Sequence, residues 1–125
     1  MPTTLTTRRC PAPAGTRVLA LAGQADLDTA PVLAAALDGA LTDPPLPRTL
    51  VIDCSALGFC SSSGLNELLR ARLAAVGAGI AFRLAAPGFQ MARLLDITDT
   101  DTVFDILPAR PLPCADEADL AEGRA

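Results

Sequence analysis

Residues 50–76 read LVIDCSALGFCSSSGLNELLRARLAAV, and a change of period inside this stretch decides the fold. Leu50, Val51 and Ile52 form a short apolar run of the kind a strand covered on both faces requires. Past the serines the spacing lengthens. Leu65, Leu68, Leu69, Leu73 and Val76 recur at three- and four-residue steps, which predicts the inward stripe of a helix opening at Gly64, with Asn66, Glu67, Arg70 and Arg72 mostly off it. Three consecutive serines therefore stand in a tight loop where a strand hands the chain to a helix N-terminus. At such a point unpaired backbone N–H groups and the positive dipole end favour an oxygen anion, including a phosphate attached to the protein itself.

Outward from this core the alternation continues. Upstream, residues 5–9 and 16–22 are expected strands joined by the turn-forming CPAPAG, with Gly23 ending the second. GQADLDTAP then leads into a helix that Asp28 or Thr29 can cap, with Pro31 in its first turn and Leu33, Leu37, Ala40 and Leu41 on its inward face. The segment TDPPLPR is a stiff connection, since three prolines remove donors and fix φ. Downstream, Gly77 and Gly79 stop the helix. Residues 80–85 return as a strand, and a helix from Ala86 and Pro87 to about Thr98 buries Met91, Leu94 and Leu95. Residues 102–106 make a short final strand, and a short acidic helix is expected over 115–122. Strands alternating with helices through short connections predict a mainly parallel α/β sheet with helix cover.

Composition bounds what such a domain does. The 125 residues suffice for one core and are too few for two ordinary ones. The net charge of −4 and the scattering of the ten cations, all arginine, argue against nucleic acid as a partner. The apolar run at 18–22 is too short for a signal segment and no later stretch is long enough to span a bilayer, so a cytoplasmic protein with no membrane partner is expected. Cys10, Cys54, Cys60 and Cys114 show no C-x-x-C spacing and there is no histidine to complete a zinc set, which predicts reduced thiols and no metal. Cys60 beside a helix N-terminus is a candidate reactive thiol, though a small buried hydrophobe is the simpler expectation.

Self-contained catalysis fails on the residues available. A strand–serine–helix junction suggests a nucleophile elbow, but G-x-S-x-G is absent, and the chain has neither histidine nor lysine to act as base. GFCSSSG is likewise no Walker loop, because Leu65 and Asn66 stand where Lys and Ser or Thr are required. The aspartates at 26, 28, 53, 96, 99, 101 and 105 mostly fall at loop starts and helix ends, where Asp partners nearby backbone. For the serines, plain helix capping remains open beside an anion or modification site.

Three segments, in order, resemble the STAS domains of bacterial anti-sigma factor antagonists. VIDCSALGFCSSSGL is similar to that family's strand ending in Asp, then an aromatic, then Asp-Ser-Ser/Thr-Gly-Leu at a helix start, through Asp53, Ser55, Phe59, Ser62, Ser63, Gly64 and Leu65. LAGQADLDTAPVL matches the pattern Leu-x-Gly-Glu-Leu-Asp-x-x-Thr-Ala through Leu21, Gly23, Asp26, Thr29 and Ala30. APGFQMARLLDITDTDTVFDI is similar to a third family segment through Pro87, Arg93, Leu94, Leu95, Val103 and Phe104.

The resemblance implies a STAS domain over 1–110 with a tail at 111–125, built as a four- to five-stranded mixed, mainly parallel sheet flanked by about four helices. It implies a non-enzymatic regulator with no cofactor of its own. Its phosphoacceptor would be Ser62, with Ser61 and Ser63 as lesser candidates, and Gly23, Asp26, Ser61, Ser62, Ser63, Gly64 and Leu65 would form the docking face for an ATP-binding anti-sigma serine kinase. A separate serine phosphatase would reverse the modification. The chain departs from the pattern at Ser61, where the family has Asp, at Gln24 and Ala25 for Glu and Leu, and at Asp99 and Thr100 for Gly-Leu. Two alternatives therefore stand: an unphosphorylated scaffold subunit of a lipid-transport or signalling assembly, and a nucleotide or anion sensor.

Overall fold

A computed structural model describes residues 4–109. The elements run β1 (Leu5–Cys10), β2 (Thr16–Ala25), α1 (Ala30–Thr42), β3 (Thr49–Cys60), α2 (Ser62–Gly77), β4 (Ala81–Ala85), α3 (Phe89–Ile97), a 3-10 turn (Thr100–Thr102) and β5 (Asp105–Leu107). The five strands form one sheet in the order β1-β2-β3-β4-β5. β1 and β2 are antiparallel, and every later pair is parallel. The expected mixed, mainly parallel sheet is thus present with five strands. Three α-helices lie among the described residues; the helix expected at 115–122 falls outside them.

Strand alternation sorts the side chains onto two unlike faces. Leu19 and Leu21, Leu50 and Ile52, and Phe82 and Leu84 join the inward residues of all three helices in one large aliphatic core. Val18, Val51 and Ala85 point the other way, where with Cys10 they form a small cluster containing no helix residue. Leu33, Leu37, Ala40 and Leu41 of α1 are buried as their spacing predicts. In α2 the buried residues are Gly64, Leu65, Leu68, Ala71 and Ala75, whereas Leu73 and Val76 are 67% and 61% exposed. The expected leucine stripe is therefore rotated: small alanines let the helix lie close to the sheet, and two large apolar side chains turn outward.

β3 is far longer than the Leu-Val-Ile run suggests. Between Asp53 and Ala56 it advances three residues while β2 advances two, from Ala20 to Ala22, and between Leu57 and Phe59 it again takes one residue more than β2. Each extra residue is a bulge, and a bulge resets which side chains face inward. The core-facing residues accordingly run Ile52, Cys54, Leu57, Cys60, with the period stretched from two to three past Cys54. β2 also continues past Gly23 to Ala25. Gly23 adopts φ +105, and a Cβ there would lie 2.3 Å from the Thr4 carbonyl oxygen, so only glycine allows β1 to pair at that point.

Cys54 and Cys60 are free thiols and buried. Cys10 is disulfide-bonded, which corrects the expectation of reduced thiols throughout; Cys114 lies outside the described residues. No helix among the described residues is long and apolar enough to cross a membrane.

Candidate functional site

The serines occupy the start of α2, which begins at Ser62, two residues before the expected opening at Gly64. Ser61, with extended φ −92 and ψ 177, is the N-cap, and its hydroxyl oxygen accepts from the Gly64 N–H at 3.4 Å. Ser62 and Ser63 are already helical. Of the capping left open for the three serines, Ser61 alone carries it; Ser62 is the first helical residue and is exposed. Of the first four N–H groups, that of Ser61 goes to the Ala25 carbonyl at 2.8 Å and that of Gly64 to the Ser61 hydroxyl. The N–H groups of Ser62 and Ser63 make no hydrogen bond to the described residues, the usual state of a helix start.

Neighbouring elements hold this turn. A Cβ on Gly64 would lie 2.7 Å from the Ala25 carbonyl oxygen and 2.9 Å from its Cβ, so the first turn of α2 rests directly on the end of β2. Gly64 and Leu65 are buried and shape the turn from beneath, while Ser61 and Ser63 are half-buried. On the far side the Gln90 carboxamide bonds both backbone groups of Cys60, a contact without any local sequence signal.

The β2–α1 loop is built differently. Asp26 Oδ1 accepts from the N–H groups of Asp28 and Thr29 at 3.0 and 3.1 Å. The buried Thr29 hydroxyl donates to the Gln24 carbonyl at 2.8 Å and accepts from the Asp26 N–H at 2.9 Å. Thr29 is the N-cap residue of α1, as expected, but its side chain closes the loop and does not cap the helix. Asp26 thus fixes its own loop, and Leu27 at the tip is left 75% exposed. Because Ala25 pairs with Cys60, this loop and the serine turn share one end of the sheet. Phe59 and Phe89, which flank Cys60 and Gln90, are also exposed.

The thiols in this region are quiet. Burial pushes the Cys60 thiol up to about 11, and Cys54 is pushed up further, by burial first and then by the Cys60 and Asp53 charges. Desolvation outweighs the helix end, so the small-hydrophobe expectation for Cys60 holds over the reactive one. Asp53 is buried, and its carboxylate accepts from the Ser55 N–H at 3.0 Å beside the first bulge. Among the described residues no three His, Cys, Asp or Glu side chains group as metal ligands.

A mixed sheet with a parallel centre, helices packed on one face and a serine turn opening the helix after the central strand together define a STAS-type domain. The chain belongs to the STAS domain family, whose model described as "Mlab, STAS domain" matches residues 11–108. It is 34% identical over 90 residues to the anti-sigma-F factor antagonist RsfB of Mycobacterium tuberculosis, a match covering 72% of this chain and 71% of that protein. The crystal structure of an anti-sigma factor antagonist from Mycobacterium paratuberculosis superposes with a TM-score of 0.73 at 30% identity, over 98% of this chain and 96% of that one. The anti-sigma factor antagonist SpoIIAA in its unphosphorylated form shares the fold at TM-score 0.61 and 16% identity, over 96% of this chain and 99% of that one.

Proposed function

We propose that this protein is a cytoplasmic anti-sigma factor antagonist that works by partner switching. With Ser62 bare, it docks on an ATP-binding anti-sigma serine kinase, and a sigma factor is freed. Phosphorylation of Ser62 ends the contact, and a separate serine phosphatase restores it. The observation that carries this reading is the setting of Ser62: an exposed hydroxyl on the first helical residue of a turn whose backbone is held on both sides. Relatives that bear the name antagonist at 34% and 30% identity support the same role.

The chemistry follows from that setting. A phosphate adds roughly −1.5 to −2 charge and three acceptor oxygens. The N–H groups of Ser62 and Ser63, which bond none of the described residues, and the positive helix end accommodate that charge where it forms, so the turn keeps its shape. What changes is the surface. The exposed apolar side chains Leu27, Phe59 and Phe89 give a partner something to bury at this end of the sheet, and a dianion among them opposes that burial by desolvation and repulsion. The Asp26 loop and Ser61, Ser62 and Ser63 form the docking face in this reading, with Gly23, Gly64 and Leu65 holding its backbone. The kinase supplies ATP and magnesium.

Ser61 favours a second reading. It stands where the family pattern has an acid, and without that carboxylate a scaffold subunit that is never phosphorylated fits the same fold. Incubation with an anti-sigma serine kinase from the same genome and Mg-ATP, followed by mass-spectrometric mapping, separates the two. Phosphate on Ser62 is expected; phosphate on none of Ser61, Ser62 and Ser63 contradicts the switch and favours the scaffold.

A further inference from the structure

Strand β3 outruns its neighbour. Its pairing with β4 stops at Asp53, opposite Ala85, yet it continues along β2 as far as Cys60. In an extended strand the N–H and C=O of one residue point to the same side, and those of the next residue to the other. The Ser61 N–H bonds Ala25 on the β2 side. Both backbone groups of Cys60 therefore face the side on which β4 has ended, at a buried position where unpaired groups are costly.

Gln90, in the first turn of α3, supplies what the missing strand does not. The Cys60 N–H donates to Gln90 Oε1 at 2.8 Å, and Gln90 Nε2 donates to the Cys60 carbonyl oxygen at 2.7 Å. A carboxamide both gives and takes at a single residue, as a paired backbone would, whereas a carboxylate or an ammonium does only one of these. Cys60 directly precedes the N-cap, and Ser62 follows two residues later. The geometry points to Gln90 as a positioning residue for the phosphoacceptor: through this amide, α3 sets where the turn of Ser61 to Gly64 sits and so how Ser62 is presented to a kinase. This inference rests on the reading of Ser62 given above.

The test compares the full chain carrying Gln90→Ala or Gln90→Glu with wild type and with Val18→Ala, which loosens the helix-free face of the sheet away from the turn. The glutamate is isosteric but, when ionised, cannot donate to the Cys60 carbonyl, so it is expected to behave like the alanine. With the kinase and Mg-ATP, both Gln90 variants should lose about tenfold in kcat with little change in KM, because the hydroxyl is misplaced after binding. Part of the phosphate should also move to Ser61 or Ser63. Val18→Ala should keep the wild-type kcat and site choice.

Amide hydrogen exchange gives a reading that needs no kinase. Ser61 and Gly64 should exchange about tenfold faster in the Gln90 variants than in Val18→Ala. Wild-type kcat and site choice in the Gln90 variants, or exchange at Ser61 and Gly64 no faster than in Val18→Ala, would overturn the inference. If the wild type takes no phosphate, it is the reading of Ser62 that fails, and the exchange rates alone decide the role of Gln90.

Discussion

The two loops at the C-terminal end of the parallel strands are stabilised in opposite ways. The β2–α1 loop is wired from within: Asp26 and Thr29 bond to each other's backbone and to Gln24, all inside six residues of chain. The β3–α2 turn is held from outside, by Ala25 beneath Gly64 and by Gln90 across from Cys60. Within the turn, the Leu65 N–H donates to the Ser61 carbonyl at 2.9 Å, as any first helical turn does, and the Ser61 side-chain cap on the Gly64 N–H is long at 3.4 Å. A self-bonded loop keeps its shape when its neighbours shift, whereas an externally braced turn reports on them. A displacement of α3 therefore reaches Ser62 through Gln90 and leaves the Asp26 loop largely as it was.

Substitutions at the two loops separate these behaviours. The largest effect is expected from Gly64→Val, which drives a branched side chain into the Ala25 backbone and should cost about 3 kcal/mol, the upper end for overpacking. Thermal unfolding measures the loss, and amide exchange should show it concentrated between Cys60 and Leu65. A smaller effect is expected from Thr29→Val, which keeps shape but removes the hydroxyl's bonds to the Gln24 carbonyl and from the Asp26 N–H, for about 1–2 kcal/mol. Its exchange changes should stay within residues 24–30. Equal disturbance of the serine turn by the two substitutions would show that both loops are one unit and that the contrast is false.

Much of this architecture is legible in the sequence, and the misses have physical causes. The alternation of strand and helix and the inward face of α1 follow from spacing that tertiary structure leaves undisturbed, and the three motifs add a resemblance to STAS domains. The second half of β3 does not, because two bulges replace the two-residue period with steps of three and its Ser, Ala and Gly content resembles a loop. Leu73 and Val76 misled for the opposite reason. Hydrophobicity assigns them to the core, but α2 packs through Gly64, Ala71 and Ala75, whose value lies in being small. At the site, the serines and Asp26 stand out in the sequence, but their division of labour does not. A one-residue shift made Ser61 the cap and Ser62 the exposed position, and Asp26 serves its own loop. Gln90 carries no local signal at all, since a lone glutamine in a helix acquires meaning only when the strand beside it has lost its partner.

In the proposed switch, charge on Ser62 decides whether a protein partner settles on this end of the sheet. The affinities of Ser62→Ala and Ser62→Asp for the anti-sigma kinase, measured side by side by calorimetry, test it most directly. The alanine variant is expected to bind as tightly as unmodified wild type and the aspartate variant about tenfold or more weaker, in line with a like-charge or desolvation cost of roughly 1.4 kcal/mol. Equal affinities for the two variants would contradict it.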